Sequence, residues 1–126
     1  MDTDIRRILV HALGAVVTVG LLGGLAACAA SKPEVTPSAD DADPAVTVRA
    51  YDNAYDMPEV DVTEGEAVRW VFEGQNEHDV VAGDASFVSE LMRQGSFTHV
   101  FDEAGSYEYD CSIHAEMKGV VNVTAD

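Results

Sequence analysis

The chain has 126 residues and a formal net charge of −16, with 23 acids against 7 lysines and arginines. That length allows one domain, and the charge excludes a nucleic-acid-binding surface, which needs clustered bases. So acidic a body repels anionic partners and favours cationic ones; the plainer reading is a solvated surface suited to solubility, including in high salt.

Taken in order, the chain opens on an export signal. Arg6 and Arg7 precede an apolar run from Ile8 to Leu25, which closes on Leu25-Ala-Ala-Cys28. A basic start, an apolar core and small residues before a cleavage point describe a signal peptide over 1–27. Its Leu-x-Ala-Cys ending looks like a lipobox, with cleavage before Cys28 and lipid attached to the Cys28 sulfur. The alternative is an uncleaved anchor, since Ile8 to Ala30 is long enough to span a bilayer, although only mildly hydrophobic. The paired arginines leave the twin-arginine route open beside the general secretory one. Either way the domain is expected on the extracytoplasmic face of the cell membrane, tethered to it. Residues 28–44 hold three prolines, several acids and little to bury, and read as a flexible or extended linker that keeps the domain off the bilayer.

The folded domain is expected over 45–126. Val46, Val48 and Ala50 alternate with Thr47 and Arg49 as in a half-buried strand. Tyr51 to Glu59 reads as a loop, Val60 to Val62 as a short strand, and Glu64-Gly65-Glu66 as a turn. Val68, Trp70 and Phe72 put three large apolar groups on one face of a central strand. Val80 to Ala82, Phe97 to Phe101, Tyr107 to Tyr109 and Val121 to Thr124 supply the rest, and Ser86 to Arg93 is the one place for a helical turn. Seven to eight short strands with regular turns and no long helical period predict an all-β fold, an antiparallel Greek-key β-sandwich.

Between the last two strands, Cys111, His114 and Met117 stand three residues apart. A thiolate, an imidazole and a thioether suit copper better than zinc, calcium or magnesium. A trigonal copper site needs two His and one Cys with a distant axial Met, and His78, in Asn76-Glu-His-Asp-Val80, offers the second imidazole. Each residue has a blander reading: Cys111 as a buried structural cysteine, His78 as an ordinary loop histidine, Met117 as a core filler with Glu116 the nearest rival oxygen. His99 falls on the same face as Phe97 and Phe101 and reads as a rim or satisfied histidine outside the ligand set. A Cys28–Cys111 disulfide is rejected, because Cys28 sits at the processing point and Cys111 is needed as a thiolate.

These residues resemble the cupredoxins, small blue-copper electron carriers, over roughly residues 45 to 125. The markers are Gly65-Glu-Ala-Val-Arg-Trp-Val-Phe72, His78, Gly105-Ser-Tyr-Glu-Tyr-Asp-Cys-Ser-Ile-His114 and Met117-Lys-Gly119. The resemblance implies one Cu(I)/Cu(II) ion held by His78, Cys111, His114 and Met117, with His114 reaching the surface as the electron's exit. Three departures touch the surroundings of that site: Ile113 and Glu77 stand where a proline often precedes a ligand histidine, and Asp79 where an Asn commonly ties the two ligand loops. No nucleophile–base pair, phosphate-cradling loop or further metal motif argues for an enzyme. The expected role is a monomeric electron carrier between extracytoplasmic redox proteins, at least one with a basic face. The rival is a copper-binding or copper-delivery lipoprotein without an electron-transfer role.

Overall fold

The computed structural model describes residues 31–126; the expected signal segment and Cys28 lie outside the described residues. The strands are β1 (Pro44–Tyr51), β2 (Ala54–Tyr55), β3 (Glu59–Thr63), β4 (Ala67–Phe72), β5 (Val81–Ala82), β6 (Gly95–Val100), β7 (Gly105–Asp110) and β8 (Lys118–Thr124). They form two four-stranded sheets, β2-β1-β4-β6 and β3-β8-β7-β5. This is the expected all-β sandwich, with one refinement. β1 runs parallel to β4 and β3 parallel to β8, so both sheets are mixed.

β4 shows why the sandwich forms. Val68, Trp70 and Phe72 alternate with Arg69 and Val71, and all three are buried. The period-2 pattern turns their side chains into the gap between the sheets, where Phe97 and Phe101 meet them. Trp70 stacks on Phe87 at 5.4 Å between ring centroids and meets Tyr109 edge-on at 5.3 Å, joining the two sheets through one indole. Between β1 and β2, Asp52 and Asn53 both take positive φ (50° and 60°), the backbone hand that a tight two-residue hairpin demands. That hairpin is hidden in a stretch whose polar residues read as plain loop.

Two further expectations differ from what is observed. Ser86 to Arg93 forms no helical turn: its backbone runs extended, with bridges Val81↔Val88 and His78↔Met92. Burial of Phe87 and Val88 and the pairing of their neighbours with the His78 segment outweigh a weak local helical pattern.

The segment before β1 is extended, as its composition implies, but it lies along the domain. The Ala39 amide donates to the Thr98 carbonyl (2.9 Å), and the Thr98 amide donates to Ser38 Oγ (2.9 Å). Thr36 exchanges bonds with Val88, and Arg69 donates to the carbonyls of Asp40 and Ala42. β6 is the edge of its sheet, so a segment that satisfies its outward N–H and C=O groups needs no apolar content to stay there. Composition alone misses such a strap.

His99 packs between Phe87 (5.0 Å) and Phe101 (4.8 Å) on the same face of β6 as Phe97, outside the His78–Cys111–His114 group. Burial holds its pKa below the ordinary 6.5, against the opposite pull of Asp102 and Asp84. The unfolded chain therefore takes up this proton at higher pH than the folded one, and stability present above about pH 6.5 is lost as pH falls through the folded value. His99→Phe keeps the aromatic packing and removes that loss. Urea midpoints near neutrality and near about pH 5 should drop less in the variant than in the parent; an equal drop would mean that His99 is not the group responsible.

Candidate metal centre

The site begins with one register. β5 and β7 pair with Val81 opposite Asp110, so the residues just before β5 and just after β7 leave the sheet side by side. Those residues are His78-Asp79 and Cys111-Ser112. The His78 segment is held from its other side by a backbone exchange with Met92, at 3.0 Å in both directions. On the Cys111 side the loop closes on itself: the Cys111 amide donates to the Met117 carbonyl (3.1 Å), and the Met117 amide to the His114 carbonyl (2.9 Å).

Within this frame the Nδ1 atoms of His78 and His114 approach to 3.2 Å, and Cys111 Sγ lies 3.7 Å from His114 Nδ1. One ligand atom from each of the three residues falls within 4.8 Å of the others, the one such His, Cys or carboxylate group among the described residues. A first-row ion bonded at about 2.0–2.3 Å to nitrogen and sulfur needs donors about 3–4 Å apart, so the spacing fits a single ion. Two nitrogens and a sulfur, without a carboxylate, fit copper in character as well.

Charge and burial agree with that fit. His78 is fully buried and its pKa is lowered, first by burial and then by the neighbouring His114, which keeps a lone pair free near neutral pH. Burial pushes the Cys111 thiol up, while hydrogen bonding from the backbone at Asp79, Ile113 and His114 favours the thiolate. A buried thiol already furnished with such donors is one that a cation readily deprotonates. Met117 is buried at 2% exposure, whereas Glu116, the rival axial oxygen, lies on the surface.

Asp79 ties the two loops. Its side chain is fully buried; Oδ1 accepts the Ser112 amide (2.7 Å), and Oδ2 accepts the Ser112 hydroxyl (2.6 Å) and the Lys32 ammonium (2.6 Å). The Asp79 carbonyl accepts the Tyr55 hydroxyl at 2.7 Å. Burial pushes the Asp79 carboxyl up, but the bonds from Lys32 and Ser112 outweigh it and hold the group ionised, below the ordinary 3.8. Glu77 and Ile113 are exposed, Ile113 at 52%, and take no part in this tie. Sequence reasoning does not pick out Ser112, Tyr55 or Lys32. The one available signal is the acid at position 79: a carboxylate next to a buried ligand calls for a cation nearby.

The comparisons with known proteins agree. No family model matches the chain. Amicyanin of Paracoccus denitrificans is 33% identical over 108 residues, covering 79% of this chain and 82% of its own. Amicyanin of Paracoccus versutus is 33% identical over 120 residues, covering 86% and 91%. This chain belongs to the cupredoxins. A reduced Cu(I) form of an amicyanin variant superposes with a TM-score of 0.60 at 31% identity, over 75% of this cupredoxin and 97% of that chain. An oxidised amicyanin variant gives 0.60 at 29% identity with the same coverage. Like these relatives, the cupredoxin described here is a copper protein and an electron carrier rather than an enzyme.

Proposed function

We propose that the domain carries single electrons through one copper ion that His78, Cys111 and His114 would hold, with buried Met117 as a weak further donor. The observation that carries this reading is the meeting of two imidazole nitrogens and one thiol sulfur in a buried, three-sided cluster. Copper bound there would supply a one-electron couple; soft sulfur suits Cu(I), nitrogen suits Cu(II), and a trigonal set lies between the two preferences. The protein's part is to hold the donors still. His78 is held by its backbone exchange with Met92 and Cys111 by its amide on the Met117 carbonyl, so little rearrangement accompanies a change of charge. His114 is half-buried beside exposed Ile113 and is the natural exit for the electron.

The test is to add Cu(II) to the purified protein. An intense visible band from the Cu–thiolate bond is expected, and Cys111→Ser should abolish it while the sandwich persists on its Trp70 and Phe72 core. A variant that stays coloured would overturn the ligand assignment. A colourless parent that binds and exchanges copper would favour the delivery reading.

The surface around His114 supports transient docking to other redox proteins. Ile113, next to His114 in the chain, is an exposed large apolar residue, and Glu77 and Glu116 are exposed acids close in sequence to the proposed ligands. Redox encounters are small and weak, so apolar contact holds the complex while charge sets the encounter rate. At least one partner then has a basic face. Electron exchange with a basic redox protein should slow as salt rises and the Debye length falls from ~10 Å at 0.1 M to ~3 Å at 1 M; rates flat in salt, and equal for an acidic partner, would leave the acidic surface to solubility alone.

The reading extends to the start of the chain. Residues 1–27 act as a signal peptide, Cys28 carries lipid, and the domain stands on the extracytoplasmic face of the membrane. The strap over β6 alters the expected stand-off. With Lys32 bound at Asp79, the four residues from Cys28 span at most about 14 Å, and the copper end stays close to the bilayer. Cys28→Ser should release the domain or leave an unprocessed precursor; mass spectrometry finding an unmodified Cys28 behind an intact Met1 segment would replace the lipoprotein by a plain anchor.

A further inference from the structure

Asp79 is the one fully buried acid of the described chain, and it sits between two ligand loops. A buried carboxylate is tolerated only when it is paired and fully hydrogen-bonded. Ser112 supplies two bonds, both from the neutral groups of one residue. Among the described residues, the only salt bridge to Asp79 comes from Lys32, a residue 47 positions away that belongs to the strap and not to the sandwich. The ammonium is itself only partly exposed, and it donates to the Ser89 carbonyl as well (2.7 Å). The Ser89 hydroxyl in turn accepts the Val80 amide (2.9 Å), directly behind the His78-Asp79 pair. Lys32 thus closes a ring of contacts that runs from the strap through Ser89 and Val80 to Asp79, and from there to Ser112 beside Cys111.

We propose that Lys32 is a positioning residue of the metal centre, so that the N-terminal strap is a working part of the copper site and not only its tether. The inference rests on the copper reading above and adds a residue to it. Its charge has a definite consequence. Asp79 places a negative charge next to the thiolate, and Lys32 cancels it from the other side. Without the ammonium, the field at the site becomes more negative and favours the oxidised ion, so the reduction potential falls. Without the bond, Asp79 has no anchor on its Oδ2 side except the Ser112 hydroxyl, and the backbone at Asp79 and Ser112 is less firmly placed against the sulfur. The cost of strap adhesion alone differs: Thr36, bonded to Val88 farther along, holds the strap but brings no charge to the site.

Four variants of the full chain separate these roles. Lys32→Met keeps the length of the side chain and removes its charge; the midpoint potential should shift downward and the thiolate band should move. Lys32→Arg should restore both towards the parent. Lys32→Met combined with Asp79→Asn removes both charges and should bring the potential back part of the way, as expected if the Asp79 charge is the one that Lys32 offsets. Thr36→Val should lower thermal stability and leave the potential in place. A readout without metal accompanies these: in the copper-free protein, Lys32→Met should displace the Ser112 amide resonance, and Thr36→Val should not. If the parent gives a thiolate band and Lys32→Met leaves both the potential and the Ser112 resonance unmoved, Lys32 has no positioning role. If the parent gives no band at all, the copper reading fails first, and the Ser112 resonance alone decides whether Lys32 places that loop.

Discussion

The pairing of Val81 with Asp110 is the constraint on which the site depends. A two-residue strand contributes little stability by itself, but it fixes which residues leave the sheet together. Because side chains alternate along a strand, a slip of one residue would turn the segment's side chains to the opposite face and carry His78 away from Cys111. The slip is resisted from both sides. Val80 and Ala82 are buried in the core, and Ser89 and Phe87 pair back onto the same segment through the Ser89 amide to the Val80 carbonyl and the Ala82 amide to the Phe87 carbonyl. The metal cluster is therefore a product of sheet register and not of its own three side chains.

The strap extends that logic to the edge of the other sheet. β6 offers unpaired backbone groups at Thr98, and the strap covers them through Ser38 and Ala39. Such an edge left open invites pairing with another chain. Covering the edge with polar, proline-bearing sequence avoids a strand that could itself propagate pairing. The same segment then delivers Lys32 to Asp79, so edge protection and the cation that pairs the buried carboxylate come from one stretch of chain.

What the sequence made legible, and what it did not, divides along physical lines. The core of Val68, Trp70, Phe72, Phe97 and Phe101 shows as a period-2 pattern, because burial is repeated every second residue. Cys111, His114 and Met117 show because their chemistry is rare and their spacing local. His78 shows only through the need for a second imidazole, being 33 residues before Cys111. The parallel pairings β1·β4 and β3·β8 leave no local trace, since strand direction is decided by crossovers that composition does not record. The β2 hairpin is masked because Asp52 and Asn53 serve a tight turn and a loop equally well. Strap docking is invisible for a different reason: its bonds are mostly backbone bonds, to which every residue type contributes alike.

The departures from the family pattern around the ligands now have a structural reading. Proline before a ligand histidine stiffens a loop through its fixed φ. Here Ile113 and Glu77 hold those positions, both exposed, and neither stiffens anything. Rigidity is obtained instead from bonds: Met92 on His78, Met117 on Cys111, His114 on Met117, and the Asp79 carboxylate across the two loops. An amide side chain at position 79 would hold the Ser112 amide without a charge and would need no lysine. A carboxylate holds it with a stronger, charge-assisted bond, but only while a cation compensates it. The acid at 79 and the base at 32 are thus one choice expressed at two places in the chain, and the exposed Ile113 that replaces a stiffening residue is free to serve as apolar contact surface beside His114.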